Sequence, residues 1–494
     1  MEFLKAFAKH NEYSVFTGTS EFVKPNVSYC IAENENHYNP YVHDYSQDYL
    51  TFTALEDGTF NFSGNPIDYS IDEGQTWVSL PSSTNTPIIQ AGNKIIWKMK
   101  QYPTSSKGIG RFSSSGSFNV EGNIMSIVSG DSFSNVTTTV SYQFMCLFSG
   151  CTNIVEAKNL IIPASTMSTS ACTKMFYGCT SLTTAPELPA TNVESSGGYR
   201  LMFCGCSKLK TAPVIAASSF GYCTCHGMFS GCTSLTTAPV LSATTIGRGR
   251  YGQIIEGCYS WMFANCTSLT TAPELPATNL SGANWCYYFM FAGCRNLITP
   301  PTTLPATNLS EGSYAYMFSN CTSLRSAPNI MATTLSWGSC RYMFSNCTSL
   351  TTAPSVLPAT DLSGSSYCYQ GMFSGCTSLT NAPQLPSTAL PAYSSSHSSG
   401  GAYQNMFAGC TSLTTAPVLP STTLKKSCYK EMFSGCTSLN SVTCLATDIS
   451  ASNCTNNWVI GVAESGTFTK AASITSWTTG ESGIPDGWTV QDAS

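Results

Sequence analysis

A twelve-residue motif recurs eleven times along this chain of 494 residues, and it constrains the fold more than any other feature. Its consensus is Met-Phe-x-(Gly/Asn)-Cys-Thr-Ser-Leu-x-x-Ala-Pro, and successive copies lie 26 to 34 residues apart. A unit of that length cannot bury its apolar residues alone, so neighbouring copies must stack into one continuous core. The sequence therefore predicts a solenoid over residues 140–445. We call its fixed cysteines the cysteine ladder: Cys151, Cys179, Cys206, Cys232, Cys266, Cys294, Cys321, Cys347, Cys376, Cys410 and Cys436.

The residue before each ladder cysteine is Gly in eight copies, as at Gly231 and Gly375. It is Asn in the other three, at Asn265, Asn320 and Asn346. Both residue types tolerate a positive φ, so the pattern predicts a left-handed corner in every coil. Asn-Cys-Thr also matches the glycosylation acceptor pattern, but the corner explains both residue types.

The rest of the motif is typical of a buried core. The Met-Phe pair and the Leu three residues after the cysteine are apolar in nearly every copy, and an unpaired cysteine behaves as a small hydrophobe. We therefore expect the cysteine ladder to be structural, buried and free of disulfides. A second set of cysteines, which disulfides within or between coils would join under oxidising conditions, precedes the ladder by seven or eight residues: Cys172, Cys225, Cys258, Cys286, Cys340, Cys368 and Cys428.

A Thr-rich stretch follows each leucine, as in residues 183–191, and it ends in proline. Such a stretch predicts one short strand per coil, stacked into a narrow parallel sheet. The run from Phe176 to Pro189 resembles the BspA-like class of leucine-rich repeats. That resemblance implies a curved solenoid and a role in surface adhesion or recognition. The extra proline after Ala185 and its equivalents departs from the usual strand pattern and affects the expected register.

The flanking regions follow a different pattern. Residues 1–48 are polar and aromatic, which indicates an N-terminal arm or attachment segment. Residues 49–130 alternate apolar and polar side chains in short runs, which predicts a small β-sandwich with a hairpin turn at Asp57-Gly58. Residues 446–494 break the repeat and end in strand-like residues, as expected of a β-rich cap on the last coil. The expected fold class is thus mainly β, with about eleven coils.

Composition argues against several classes of function. Charged residues make up only 10% of the chain and the net charge is −5, so we expect no nucleic-acid partner. No apolar run is long enough to cross a bilayer, so we expect no membrane span. The first residues lack an apolar run before a cleavage site, so we expect no export leader.

The solenoid also lacks the residues that catalysis requires. Its only histidines are His226 and His397, and its carboxylates are isolated. A Cys225-His226 dyad with Cys223 is a weaker alternative, because adjacent side chains do not generally face each other. We therefore predict no enzyme activity and no cofactor. We also expect no metal site, although His37, His43 and Asp44 contain possible ligands.

The loops of variable length contain most of the irregular aromatic and Arg residues. Insertions in a solenoid map to one face, often the binding face, and aromatic and Arg side chains are the usual anchors of recognition. The alternative is that these side chains simply cover the edges of the coils. The candidate partner-binding residues are Tyr199, Arg200, Arg248, Arg250, Tyr251, Trp285, Tyr314, Tyr316, Trp337, Arg341, Tyr367, Tyr393 and Tyr403.

Three functions fit these features. The first is a phage virion fibre or decoration subunit that presents the solenoid to a host cell surface. The missing export leader, the many expected free thiols and the separate N-terminal module favour it. The segments Lys24–Cys30 and His37–Pro40, the sandwich, the repeats and the tail Gly483–Trp488 together also resemble proteins of gut Bacteroidales and their bacteriophages. The second is a bacterial cell-surface adhesin, and the third is binding to ice or crystals through Thr columns. The expected partners are a glycan or protein on a host or neighbouring cell and, through the N-terminal region, other subunits of a virion or surface assembly. A homo-oligomer is also compatible with the sequence.

Overall fold

A computed structural model describes residues 43–99, 108–193, 195–246, 257–392, 401–475 and 477–493. The chain divides into two compact units, Met1–His43 and Asp44–Ser494. All described residues except His43 belong to the second unit. The arm expected over residues 1–48 lies largely outside the described residues.

The described residues are mainly β, as the repeat pattern predicts. One short helix, α1, spans Ser126–Ser129, and 3-10 turns lie at Tyr45–Gln47 and Gly130–Asn135. The strands are β1 (Leu50–Ala54), β2 (Phe60–Phe62), β3 (Ile67–Ser70), β4 (Val78–Leu80), β5 (Lys94–Lys98), β6 (Phe112–Ser114), β7 (Phe118–Asn123), β8 (Asn159–Ile161), β9 (Ser219–Phe220), β10 (Thr245–Ile246), β11 (Thr303–Leu304), β12 (Asn329–Ile330), β13 (Ser441–Cys444), β14 (Thr467–Lys470) and β15 (Thr489–Asp492).

The N-terminal β-rich region contains two sheets that share an aromatic core. Six strands pair in the order β4-β3-β5-β1-β7-β8, and β2 pairs with β6. The ring of Phe52 in β1 lies 5.4 Å from Phe60 in β2 and 4.9 Å from Phe112 in β6. Trp97 in β5 is fully buried in the same cluster. Alternation along each strand directs these rings to the inner face of its sheet.

The hairpin predicted at Asp57-Gly58 is wrong. Strand β1 pairs with β5 and β7, whereas β2 pairs only with β6 among the described strands. Gly58 forms an antiparallel bridge with Ile89, and Asp57 accepts a hydrogen bond from the Ala91 N–H at 2.8 Å. With these contacts the chain passes from the six-stranded sheet, which contains β1, to the sheet of β2 and β6. The turn therefore does not fold β2 back onto β1.

The solenoid continues directly from the six-stranded sheet. Strand β7 pairs in parallel with β8, with Gly122 opposite Leu160. The ring of Phe112 stacks on Phe148 of the first coil, with centroids 5.7 Å apart. The N-terminal region therefore covers the first coil and satisfies its sheet edge.

One side of each coil is the strand face, where the Thr-rich stretches pair in parallel, as expected. Most of the pairing is limited to single residues, as in the bridge between Thr211 and Thr237, or to pairs such as β11 with β12. The strands are this short because proline follows two residues later, as Pro213 follows Thr211, and proline has no N–H to donate. The strand face is therefore narrow.

The other side of each coil is the turn segment, the ten residues that end at the ladder cysteine, such as Cys223–Cys232. Its N–H groups bond alternately to the next coil and to the residue three before. Gly227 donates to the carbonyl of Ser260 at 2.8 Å, and Met228 donates to that of Cys225 at 3.2 Å. The predicted left-handed corners are confirmed, since φ is 75° at Gly231, and between 58° and 77° at all eleven corners. In most coils φ is also positive four and eight residues earlier.

The core between the two faces repeats from coil to coil. The Phe three residues before each ladder cysteine stacks on its equivalent in the next coil, and the Phe318–Phe344 pair lies at 5.5 Å with an interplanar angle of 2°. The eleven ladder cysteines are buried beside this stack and unpaired. Since the same residue types meet between every pair of neighbouring coils, each coil packs on the next in the same way.

The C-terminal region closes this stack. Strands β13, β14 and β15 form a parallel sheet in that order. Trp458 stacks on Tyr429 of the last repeat, and its indole N–H donates to the carbonyl of Gly483 at 2.7 Å. Gly461 adopts a φ of 74° and continues the row of corners. The region therefore retains the coil geometry while its sequence departs from the repeat.

Candidate recognition surface

Three candidate binding residues lie in the core, which corrects the prediction that they lie on exposed loops. Tyr199, Tyr314 and Tyr403 are each at most 2% exposed. Each stands seven residues before a ladder cysteine, a position that points inward and elsewhere holds Tyr, Cys or, in the first coil, Phe144. That constant offset was the sequence signal that distinguishes them from surface aromatics.

Four other candidates, Arg248, Arg250, Tyr251 and Tyr393, lie outside the described residues. Arg200 is half-buried on an earlier coil than the remaining five.

The remaining five candidates lie close together on neighbouring coils, four in the turn segments and Trp337 one residue before one. The Trp337 ring lies 5.9 Å from the rings of both Trp285 and Tyr367, in edge-to-face geometry. The guanidinium of Arg341 lies 5.6 Å from the centre of the Tyr367 ring. All five, including Tyr316, are partly exposed. We call Trp285, Trp337, Arg341 and Tyr367 the aromatic–arginine patch.

A neighbouring row of rings was missed by the sequence analysis. Trp261, Phe289, Tyr316 and Tyr342 each stand five residues before a ladder cysteine, and we call them the aromatic column. Successive rings stack at 4.4, 4.5 and 5.1 Å, within 20° of parallel. All are partly exposed. The shared offset of five residues is a signal in the sequence, and of the four rings only Tyr316 is among the candidate partner-binding residues.

The aromatic column lies at a backbone position that favours glycine. Its φ values are between 51° and 60°, and the same position holds Gly227 and Gly371 in flanking coils. A left-handed conformation costs a residue with a side chain about 1–2 kcal/mol. Each stacked pair of rings stabilises the fold by about 0.5–1.5 kcal/mol in addition to the effect of burying the rings. Stacking therefore offsets much of the strain and holds the rings in a fixed row.

Glycines also make room for the rings of the preceding coil. A Cβ on Gly312 would overlap the indole of Trp285, and one on Gly371 would overlap the ring of Tyr342. In both pairs the two residues occupy the same position in successive coils. Because Gly312 and Gly371 have no side chain, the rings of Trp285 and Tyr342 pack directly against the backbone of the next coil.

The histidine and cysteine considered for catalysis, His226 and Cys225, lie in a structural environment. His226 Nδ1 lies 2.6 Å from the hydroxyl of Ser260, which donates to the carbonyl of Gly257. Burial raises the pKa of the Cys225 thiol well above its usual range, so this thiol is protonated at neutral pH. Over the part of the chain that the structure describes, no three His, Cys, Asp or Glu side chains are grouped to hold a metal ion.

The strand face has a different chemistry. Its exposed residues include many Thr and aliphatic side chains between rows of proline, and Val240 and Val418 are 83% and 52% exposed. Clefts of about 290 and 480 Å³ lie between the proline-containing stretches. Ser326 and Asn381 interrupt the Thr column, which is the basis of the ice or crystal hypothesis.

Together, the stacked coils, the parallel pairing on one side and the repeated turns on the other define a leucine-rich-repeat solenoid. The model of the BspA type leucine-rich repeat region matches in six copies over residues 123–254, 225–351 and 252–379. These matches span just over half of the chain, which therefore belongs to the BspA-type leucine-rich-repeat family.

Other comparisons add little to this assignment. Two solved chains match. One is a leucine-rich cell surface protein from Faecalibacterium prausnitzii A2-165, which is 18% identical with a TM-score of 0.29. That match covers 61% of this chain and 75% of the other. No curated protein matches. Within the described residues, no helix is long and apolar enough to cross a membrane.

Proposed function

We propose that this chain is a non-enzymatic recognition protein that binds a partner surface through the turn segments of its solenoid. The observation that carries the proposal is the aromatic–arginine patch, in which two Trp, one Tyr and one Arg meet across four successive coils. Trp, Tyr and Arg are the residue types that dominate binding energy at protein interfaces. Partly exposed side chains of these types, already packed into one arrangement, lose little entropy when a partner binds.

The arrangement of the solenoid supports this role. Repeating coils present neighbouring patches on a single face, so that several modest contacts act together on one partner surface. The patch also lies on backbone that is hydrogen-bonded from coil to coil, as where Trp285 donates its N–H to the carbonyl of Glu311 at 2.8 Å. The binding residues are therefore held by the solenoid, not by a mobile loop.

Binding of the labelled full chain to intact cells tests the proposal, with Bacteroidales cells and intestinal epithelial cells as the two surfaces. We expect saturable binding to one of them and at least a tenfold loss in the Trp285→Ala/Trp337→Ala variant. The matched controls are Tyr177→Ala, an exposed aromatic residue on an earlier coil, and Val240→Ser on the strand face. If Val240→Ser abolishes binding and the Trp variant does not, the strand face is the recognition surface and the proposal is wrong.

The site of display distinguishes two versions of this function. In the virion version, residues 1–48 attach the chain to a phage particle as a fibre or decoration subunit. In the adhesin version, the chain stands on a bacterial cell surface. Immunogold labelling separates them, because particles are labelled in the first case and cell envelopes in the second. Deletion of residues 1–48 should prevent incorporation in either assembly and preserve binding through the solenoid.

A further inference from the structure

A polar cleft of about 360 Å³ runs along the turn segments beside the aromatic–arginine patch. Its walls combine ring edges from the aromatic column with hydroxyl, amide and guanidinium groups, and together they come from four successive coils. The lining residues are Phe289, Tyr316, Ser319, Asn320, Arg341, Tyr342, Ser345, Asn346 and Ser374. None of these residues is acidic, so the cleft has one positive charge and many neutral hydrogen-bonding groups.

The surroundings of this positive charge are aromatic. Among the described residues, no carboxylate forms an ion pair with Arg341. Its guanidinium instead lies 5.4 Å from the centre of the Tyr342 ring and 5.6 Å from that of Tyr367. Within the described parts of the chain, the Nε of Arg341 is buried without a hydrogen-bond partner, and so is the Oε1 of Gln370, at the same position in the next coil. A partly buried guanidinium without a counter-ion among the described residues favours an anionic oxygen ligand such as a carboxylate.

The neutral groups repeat with the coils. Ser319, Ser345 and Ser374 supply one hydroxyl from each of three coils, and Asn320 and Asn346 add two amides. Ring spacings of 4.5 and 5.1 Å between these coils are comparable with the length of one sugar residue in an extended chain. A ladder of hydroxyls and amides at this spacing matches a ligand that carries hydroxyls on every unit.

The backbone argues against other classes of ligand. A peptide that adds as a strand binds through main-chain pairing, but main-chain N–H groups in the cleft are already used between coils. Asn320 donates its N–H to the carbonyl of Ser345 at 2.8 Å, and Asn346 donates to that of Ser374 at 2.7 Å. The same bonds leave no nest of N–H groups for a phosphate.

We propose that the polar cleft binds a carboxylate-bearing glycan, with the acid group on Arg341 and the sugar hydroxyls on the Ser and Asn side chains. The proposal rests on the recognition function proposed above and names the ligand class for the neighbouring part of the same face. The faces of the stacked rings cover one another, so no ring face in the column is open for a sugar to stack on. The aromatic column instead contributes ring edges and Tyr hydroxyls, and it makes the wall of the cleft rigid.

Isothermal titration calorimetry on the full chain tests this proposal with three probes: tetragalacturonate, its fully methyl-esterified form and 3′-sialyllactose. We expect binding of one or both acidic sugars, which identifies a uronate or a sialic acid as the source of the carboxylate. The methyl ester should bind at least about tenfold more weakly than the tetragalacturonate if a uronate is the ligand, because charge-assisted hydrogen bonds are about twice as strong as neutral ones. For sialyllactose, unsialylated lactose is the corresponding control.

Arg341→Gln should lose at least about tenfold in affinity for the acidic sugar, and the thermal unfolding midpoint verifies that it folds. Arg325→Gln, which removes an exposed Arg on the strand side of a neighbouring coil, should bind as the parent does. The inference is overturned if neither acidic sugar binds, if acid and neutral probes bind equally, or if polyglutamate binds as tightly as the sugar. In those cases, continued binding of the chain to cells through Trp285 and Trp337 would leave the recognition function intact.

Discussion

The carbonyl oxygen of Phe318 accepts two hydrogen bonds, one from the N–H of Cys321 in its own coil and one from the Sγ–H of Cys347 in the next, both at 3.1 Å. The thiol thus joins successive coils through a backbone oxygen. Every ladder cysteine from Cys179 onwards donates the equivalent bond to the preceding coil. Oxidation or alkylation of these thiols would remove a contact between coils.

The first prediction concerns access to the thiols. In the native chain, a thiol reagent should label Cys146 and Cys204, which are partly exposed, and leave the cysteine ladder unmodified. Burial prevents attack and raises the pKa of Cys294 and of Cys347 to about 12, so little thiolate is present. Mass spectrometry of labelled peptides, with Cys30 replaced by Ser, measures this directly. Labelling of the ladder without denaturant would contradict the assigned core.

The second prediction concerns stability at alkaline pH. The folded chain holds the pKa of Cys347 at about 12, above its ordinary value of 9, so the thiol ionises first in the unfolded chain. Ionisation of this thiol therefore leaves the stability unchanged below pH 9 and lowers it as the pH rises from 9 towards 12. Each such thiol lowers the free energy of unfolding by about 1.4 kcal/mol per pH unit in this range.

Urea unfolding at pH 8 and pH 10 measures this fall, and Cys347→Ala provides the control. The variant should be less stable at pH 8 because it leaves a small cavity, but its loss between the two pH values should be smaller by about the contribution of one thiol. An equal loss in both chains would show that Cys347 does not titrate as its burial requires.

The sequence predicted the solenoid and its corners because one residue type was repeated at each of those positions. It did not predict which aromatic residues face outward, since the loops that hold them differ in length and composition. Tyr314 and Tyr316 are both loop tyrosines by sequence, and only their offsets from Cys321 separate core from surface. The hairpin at Asp57-Gly58 failed for another reason: local turn chemistry did not reveal that Ile89 pairs with Gly58 from a distant segment.

The third prediction concerns the corners. Gly231→Val should destabilise the solenoid by about 1–3 kcal/mol, because a β-branched residue is strained at a φ of 75°. Gly231→Asn should be nearly neutral, since a Cβ there meets only ordinary contacts and Asn already occupies other corners. Gly375→Asn should cost more than Gly231→Asn, because its Cβ would crowd the amide of Asn346. Denaturation midpoints compare the three, and equal effects of Val and Asn at Gly231 would contradict the left-handed corner.

The fourth prediction concerns the seating of Trp285. Gly312→Ala should displace the indole and destabilise the chain by about 1–3 kcal/mol, because the new Cβ overlaps the ring and φ is 60°. Trp285→Ala removes the overlap, so Gly312→Ala should cost less in that background. A double-mutant cycle on the free energy of unfolding measures the coupling. Additive effects would show that Trp285 does not rest on Gly312.

The last prediction separates two tyrosines that lie two residues apart. Tyr314 is 1% exposed and stacks on Tyr287 at 5.9 Å, so Tyr314→Ala leaves a cavity in the core and should destabilise the chain by about 3–5 kcal/mol. Tyr316 is partly exposed in the polar cleft, so Tyr316→Ala should cost less stability and weaken binding of the acidic sugar directly. Tyr314→Phe is the matched control for the core site: the Tyr314 hydroxyl has no role in the cleft, so binding should be unchanged. Chemical denaturation and calorimetry on the same preparations give both quantities. If Tyr314→Phe weakens binding while Tyr316→Ala does not, the inward and outward positions of the turn segment have been assigned in reverse.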